Sequence, residues 1–447
     1  MKLRKIKWKD HPILNNLELN LVNPITNQPY ETILLAGENG TGKTTILETI
    51  STFLNGGTFE YFDYIEYEAD GNILKALEGS NPSTKFFYTM SNGTQTFPMN
   101  TGGGHRNAAV DENPLNIRFS GCVFSKARAD YKTDTISSIT TKQLDTEKFN
   151  TDEEENFTSL KQLIVDIQSQ DNSDYAELNK TLGTAPKSWE DFYTTSKIFR
   201  FKSAFDNFFD KLKYDKVVDS ANQKSILFTK FGKSISIDKL STGEKQIVFR
   251  GIYLLKNSRI LNGAAILIDE PELSMHPKWQ KNILKYYKDL FTESNAQKTQ
   301  LLIATHSEHV LSDALKDKDK NIVIALSEIS GIIQATHIDA PSVLPSITSA
   351  ETNYLAFDIV STDYHIELYG WLQQKETKHT VKSCDDFIKT HSSYNPSIHG
   401  KSSSFRTTRY YTLSTYIRNA IDHPSSTTIF TDEELRSSIE LLIELCR

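Results

Sequence analysis

The chain has 447 residues, enough for two or three domains each with its own core, and its 38% hydrophobic and 24% charged residues describe an ordinary soluble protein, neither disordered nor membrane-embedded. A net charge of −7 excludes a surface that is basic all over, so any nucleic-acid contact has to be local. Three cysteines, Cys122, Cys384 and Cys446, lie too far apart to imply a disulfide framework or a zinc site. Lys7, Lys9 and Asp10 interrupt what would have to be the apolar core of a signal peptide, and no later apolar run approaches membrane-spanning length. The expected location is the cytoplasm, with no membrane partner.

Residues 1–35 alternate short β-like runs with turns at Asn15-Asn16 and Asn23-Pro24, which predicts antiparallel strands. Thr32-Ile33-Leu34-Leu35-Ala36 is an apolar run of strand length, and Ile46, Leu47, Ile50 and Leu54 recur at helical spacing. Between them stands Gly37-Glu38-Asn39-Gly40-Thr41-Gly42-Lys43-Thr44, which fits the phosphate-loop pattern G-x-x-x-x-G-K-[ST]. Its glycines let the backbone approach a polyphosphate with N–H groups pointing inward. The following helix N-terminus and Lys43 supply positive charge for the β and γ phosphates, and the Thr44 hydroxyl is suited to Mg²⁺. The helix is expected to stop at Asn55-Gly56-Gly57.

Further strands are predicted from residue 61 to 97, a mobile loop over 100–113 around Gly102-Gly103-Gly104, and a strand over 117–124. Residues 145–190 read as acidic and helical, with Leu160, Leu163, Ile164 and Ile167 on one face. Phe199, Phe201, Phe205, Phe208, Phe209 and Leu212 extend the helical pattern to Tyr214, and residues 225–237 alternate as a hairpin. Leu240-Ser241-Thr242-Gly243-Glu244-Lys245-Gln246 then opens a helix. Ala264-Ala265-Ile266-Leu267-Ile268-Asp269-Glu270 is a buried strand ending in two acids. Pro277 suits the first turn of the next helix, and Leu301-Leu302-Ile303-Ala304-Thr305-His306-Ser307 ends another apolar strand in a histidine. Apolar strands alternating with helices predict an α/β fold, a sheet covered on both faces.

In this order the motifs resemble an ABC-type ATPase of the kind found in SMC proteins, DNA-repair ATPases and OLD nucleases. The resemblance implies an ATPase head spanning 1–345, a mixed sheet flanked by helices with an antiparallel β subdomain and a helical insertion at about 143–213, followed by a helical C-terminal domain over 346–447. It implies ATP and Mg²⁺ as ligands: residues Gly37 to Thr44 with Thr45 around the nucleotide, Thr44 and Asp269 on the metal, Glu270 activating the attacking water, a D-loop-like stretch from Glu272 to His276, and His306 on the γ phosphate. Ser241, Thr242, Gly243 and Glu244 are implied to reach the nucleotide of a second subunit, hence a homodimer or higher homo-oligomer. Thr242 and Glu244 depart from the commonest signature, which has glycine and glutamine there. No clear glutamine follows the 117–124 strand; Ser125, Arg128 or Gln143 are the candidates for its place.

Without a long heptad run, a chromosome-bridging coiled coil is excluded. The compact head and the tail from Thr412 to Pro424 look most like the PtuA family of Septu anti-phage systems and related retron operons, which implies an HNH nuclease partner of the PtuB type. In the tail, Leu413, Tyr416, Ile417, Ala420 and Ile421 form one apolar stripe, and Thr431 with Glu434 makes a capping box. Arg418-Asn419-x-x-x-His423 also resembles the short motif of HEPN ribonucleases. Against that, positions i and i+5 of a straight helix point about 140° apart, and Arg418 with Asp422 could be a surface pair. Lys401, Arg406, Arg409 and Arg418 could form a docking patch for an acidic partner, for RNA or for a retron ribonucleoprotein. A ribonuclease tail gated by the ATPase and a DNA-repair ATPase are the alternatives.

Overall fold

The computed structural model describes all residues except 80–87, 100–112, 152–155, 184–185, 221–222, 294–295, 406 and 425–428. The glycine-rich stretch of the 100–113 segment and Arg406 of the cationic patch lie outside the described residues. The chain divides into a larger unit, residues 1–35, 39–322 and 326–335, and a smaller one, residues 336–447 with 36–38 and 323–325.

Two sheets organise the larger unit. The first is antiparallel, in the order β2-β1-β4-β5-β6-β7. It is built from β1 (Lys2–Trp8), β2 (Glu18–Asn20), β4 (Phe62–Ala69), β5 (Asn72–Glu78), β6 (Tyr88–Ser91) and β7 (Thr96–Met99). Along β1 the side chains of Leu3, Ile6 and Trp8 are buried while Lys2, Lys5 and Lys7 are half-buried, as in a sheet with one face on the core.

The second sheet runs β18-β17-β3-β16-β13-β8-β9. These strands are β3 (Thr32–Gly37), β8 (Cys122–Ser125), β9 (Phe149–Thr151), β13 (Ala265–Asp269), β16 (Gln300–Ala304), β17 (Asn321–Ile329) and β18 (Ile332–Ile338). From β3 across β16, β13 and β8 to β9 every pairing is parallel. β3, β13, β16 and β8 are buried along their whole length, as strands with both faces covered must be. Parallel order puts the C-terminal ends of β3, β13 and β16 side by side, where ligands bind in such sheets.

Helix α1 (Lys43–Leu54) follows β3, and α2 (Asn156–Leu182) and α3 (Phe199–Phe208) lie in the insertion. α4 (Thr242–Leu255) precedes β13, α5 (Pro277–Leu290) and the short antiparallel pair β14 (Thr292–Glu293) and β15 (Ala296–Gln297) link β13 to β16, and α6 (Glu308–Ala314) follows β16. A three-stranded antiparallel sheet, β10 (Leu212–Ser220), β11 (Gln223–Lys230) and β12 (Lys233–Ser236), stands before α4.

Two boundaries differ from expectation. The 117–124 strand is only β8; residues before it close into turns, with Phe119 N–H on the Asn116 carbonyl and Gly121 N–H on that of Arg118, and Gly121 at φ 90°. The aromatic run from Phe199 does not carry the helix to Tyr214. α3 stops at Phe208, Phe209 is extended, and Leu212 and Tyr214 are strand residues paired with Lys230 and Phe228.

The smaller unit contains α7 (Ser349–Phe357), α8 (Thr362–Lys375), α9 (Val381–Thr390), α10 (Leu413–Asp422) and α11 (Asp432–Cys446). Leu368, Leu372, Ile388, Leu413, Ile417, Ile439 and Leu442 form its core, so the stripe on α10 faces inward. Thr431 and Glu434 form the capping box of α11. Between α9 and α10 runs a hairpin, β19 (Gly400–Phe405) with β20 (Thr408–Thr412), which the helical pattern did not predict. The three cysteines are buried and unbridged, and no helix among the described residues is long and apolar enough to cross a membrane.

Candidate functional site

The end of β3 and the start of α1 make the glycine loop. Gly37, Gly40 and Gly42 have φ of 141°, 88° and 84°. Gly42 has left-handed backbone that disfavours any other residue, and a Cβ there would stand 2.6 Å from Leu14 Cδ2, so that side chain would also have to shift. Glu38, Asn39 and Gly40 are exposed, Thr41 is buried, and Thr45 is half-buried in the first turn of α1. Lys43 is buried although charged, its Nζ donating to Thr41 Oγ1 at 3.4 Å.

Thr44 donates its hydroxyl to Asp269 at the tip of β13, 3.1 Å from Oδ2 and 3.3 Å from Oδ1. Burial pushes the Asp269 carboxyl up to about 6; Thr44 works against that shift and neighbouring Glu270 adds to it. Two hard oxygen ligands, one of them a carboxylate, beside a phosphate cradle fit Mg²⁺, which takes few protein ligands and completes its octahedron with phosphate and water.

Glu270 turns the chain with φ 42°, a conformation that non-glycine residues adopt at a cost and that collects at functional sites. Its Oε1 lies 3.5 Å from His306 Nε2, at the end of β16. Burial, and then Lys43, hold the imidazole below its ordinary value, so it is neutral at pH 7. The His306 N–H donates to Glu272 Oε1 at 2.6 Å, and burial raises the Glu272 carboxyl. Lys43, Thr44, Asp269, Glu270 and His306 therefore converge on one place. Glu272 was anticipated only as part of the D-loop-like stretch; its bond to the His306 backbone gives it a place in the site.

Ser241, Thr242, Gly243 and Glu244 stand at the head of α4. Ser241 caps that helix, its Oγ accepting from the Glu244 N–H while Glu244 Oε2 accepts from the Ser241 N–H and hydroxyl at 2.9 Å. Lys230 adds an ion pair to Glu244 at 2.7 Å. Burial opposes ionisation of Glu244, but these bonds outweigh it and hold the carboxyl below its ordinary value. A Cβ on Gly243 would meet the Ser274 carbonyl at 2.7 Å, so the D-loop-like turn, with Ser274 at φ 60°, packs on the signature.

Further along α4 stand Gln246, the last residue of the signature stretch, and Arg250, which the motif reading did not include. Gln246 Nε2 donates to the Pro271 carbonyl at 3.1 Å, and Arg250 Nη2 donates to the carbonyls of Asp269 at 2.7 Å and Lys126 at 2.6 Å. They are four apart on one helix face, and both are buried. A buried polar pair at that spacing, so close to the signature, was the available signal.

Of the three candidates after the 117–124 segment, Ser125 is buried in β8 opposite Ile268, Arg128 lies over the Phe157 ring, and Gln143 is exposed beside Thr146 and Asn150. In the smaller unit, Arg418 Nη2 pairs with Asp422 at 2.7 Å, and His423 caps the C-terminus of α10 with its backbone N–H on the Asn419 carbonyl.

A family model described as "AAA domain, putative AbiEii toxin, Type IV TA system" matches residues 33–312. Among curated proteins the chain is similar to "Retron Vc95 probable ATPase" of Vibrio cholerae serotype O1 biovar El Tor, 36% identical over 102 residues, covering 21% of this chain and 19% of that protein. It is also similar to "Retron Ec83 probable ATPase" of Escherichia coli, 29% identical over 175 residues, covering 35% of this chain and 28% of that protein. The matched stretches thus span less than a third of either relative. Among solved structures, the SMC head domain from Thermotoga maritima aligns with a TM-score of 0.39 at 13% identity, over 76% of this chain and 99% of that one. The SMC head bound to the C-winged helix domain of ScpA aligns with a TM-score of 0.42 at 13% identity, over 76% and 98%.

Proposed function

Because the chain belongs to the AAA-domain ATPase family, we propose that two copies of it close around ATP and Mg²⁺, and that the closed form governs an associated HNH nuclease in anti-phage defence. The observation that carries the nucleotide reading is the Thr44–Asp269 contact beside buried Lys43. In this reading residues Gly37 to Thr45 hold the triphosphate, and Thr44 and Asp269 hold the metal, which when bound neutralises phosphate charge. Glu270 orients the attacking water and takes up its proton. His306, 3.5 Å from Glu270 and held below its ordinary value by burial and then Lys43, offers a hydrogen bond at the γ phosphate.

Ser241, Thr242, Gly243 and Glu244 belong, in the same reading, to the site of the second copy. The names of the retron relatives and the tail resemblance to PtuA support the defence assignment. The Arg418–Asp422 ion pair favours a docking or structural role for the tail over the ribonuclease alternative.

Sedimentation with and without ATP and Mg²⁺ tests the core of the proposal. The expected result is an ATP-dependent increase from one copy to two, lost in Lys43→Ala and in Ser241→Arg, of which only Lys43→Ala also loses ATP binding. A wild-type chain that binds ATP and keeps its size would overturn it. The nuclease link is tested by co-expression with an HNH nuclease of the PtuB type; no co-purification in either nucleotide state would remove that part alone.

A further inference from the structure

Charge is unevenly distributed along this acidic chain. Residues 378–418 hold seven lysines and arginines against two aspartates, a local excess of five positive charges in a molecule of net −7. One of the two acids is spent internally: Asp385 is fully buried and accepts from the N–H groups of Tyr411 and Thr412 and from the Thr412 hydroxyl, which ties α9 to β20. Asp386, paired with Lys382, is the acid left at the surface of this stretch.

The cations also gather around aromatic rings. Lys389 Nζ stands 4.1 Å and Lys382 Nζ 5.2 Å from the centre of the Tyr411 ring, and Lys378 Nζ stands 5.6 Å from that of Phe387. Arg409 lies two residues before Tyr411 on β20, hence on the same side of the hairpin, and is exposed, while Tyr410 between them is buried. Neither Lys389 nor Arg409 forms an ion pair among the described residues. Lys401 and Arg418 differ, being neutralised by Glu434 and Asp422. Around the Tyr411 and Phe387 rings the cations are therefore Lys378, Lys389 and Arg409, with Lys382 shared between Asp386 and the Tyr411 ring.

We propose that the face formed by α9 and β20, with Tyr411 and Phe387 among Lys378, Lys382, Lys389 and Arg409, binds single-stranded nucleic acid. Phosphates replace the rings as partners of the lysines, an exchange that costs little because an exposed cation–π contact contributes only about 0.5–1 kcal/mol. The Tyr411 ring so released stacks on an unpaired base, which double-stranded nucleic acid does not offer, with the accessible edge of core-packed Phe387 beside it. An acidic polypeptide would use the charges but leave the two rings without a role. This surface is independent of the ATPase reading and stands or falls separately.

The test uses the full chain and a fluorescein-labelled oligothymidylate of about 20 nucleotides, followed by polarisation across a salt series. Four phosphate contacts at about 0.7 each give an expected slope of log K on log salt near −3. Joint Lys389→Glu and Arg409→Glu exchange should halve that slope. Tyr411→Ala should weaken binding roughly tenfold at unchanged slope, as loss of a stacked base does. Lys389→Gln with Arg409→Gln repeats the slope measurement should charge reversal unfold the unit, and circular dichroism reports folding.

No binding at about 50 mM salt, an unchanged affinity in the folded double variants, or Tyr411→Ala binding like wild type would overturn the proposal. So would tighter binding of the matching duplex, or displacement by polyglutamate as effective as by unlabelled oligothymidylate, which would assign the surface to an acidic protein.

Discussion

Thr44 and Asp269 lie 225 positions apart in sequence and within 3.1 Å in space, and the fold of the larger unit places them so. At this scale the decisive change is Glu270→Gln, which keeps size and left-handed backbone but removes the base. ATP binding should persist while hydrolysis falls about 10²–10⁴-fold, the usual worth of a positioned base; fluorescent-nucleotide titration and phosphate release check the two halves. A second residue reports on the smaller unit. His365 is fully buried, its Nε2 2.9 Å from Ser438 Oγ, and burial lowers its pKa to about 3. The folded chain thus keeps the ring neutral while the unfolded chain protonates near 6.5. The stabilisation is complete above that pH and is lost as pH falls from 6.5 toward 3. About 1.4 kcal/mol should have gone by pH 5.5, visible as a lower denaturant midpoint that His365→Gln makes less pH-dependent.

α4 is the element on which the site turns, since its first turn carries the signature and its next two hold the chain around Asp269. Arg250→Met should leave the Lys126 and Asp269 carbonyls without that donor, at about 1–3 kcal/mol each. Hydrolysis should fall well beyond any change in ATP affinity, with denaturant melts and single-turnover kinetics as the readouts. Gly243→Ala drives a methyl group into the Ser274 carbonyl and should cost about 1–3 kcal/mol, the range for overpacking. Local sequence made much of α4, α1 and β13 legible because a glycine spacing, a capping serine and a run of four buried apolar residues ending in Asp269 each act within a few positions. Arg250 was not legible, nor was the bond that Gln246 makes, since their partners come from β13, the turn after it and the segment after β8. The end of α3 was misread because Leu212 and Tyr214 continue an aromatic period that cross-strand pairing with β11 overrides. The hairpin before α10 is rich in serine and threonine and carries no strong period of its own, so the helical pattern on either side concealed it.

At the scale of the whole molecule, the proposed closure of two copies around ATP needs nucleotide binding alone and no hydrolysis. With ATP at about 100 times its dissociation constant and bound only by the closed pair, each site contributes about 2.7 kcal/mol. Two sites approach the roughly 5.5 kcal/mol that inverts a 1:99 equilibrium. Glu270→Gln should therefore be the form that stays paired longest in ATP, as size-exclusion chromatography with light scattering can show. The same reasoning gives the Ser241–Glu244 capping box a meaning beyond helix stability. A free copy already has a full charge on its own signature hydroxyl, supplied by Glu244 and steadied by Lys230. For that hydroxyl to turn to a neighbour's phosphate, one anion must displace another, so the resting chain is latched by a tenant of its own, and partial or misaligned encounters gain little from the exchange. Glu244→Gln would weaken the latch, and with it the distinction between a copy waiting for nucleotide and one already committed to its twin.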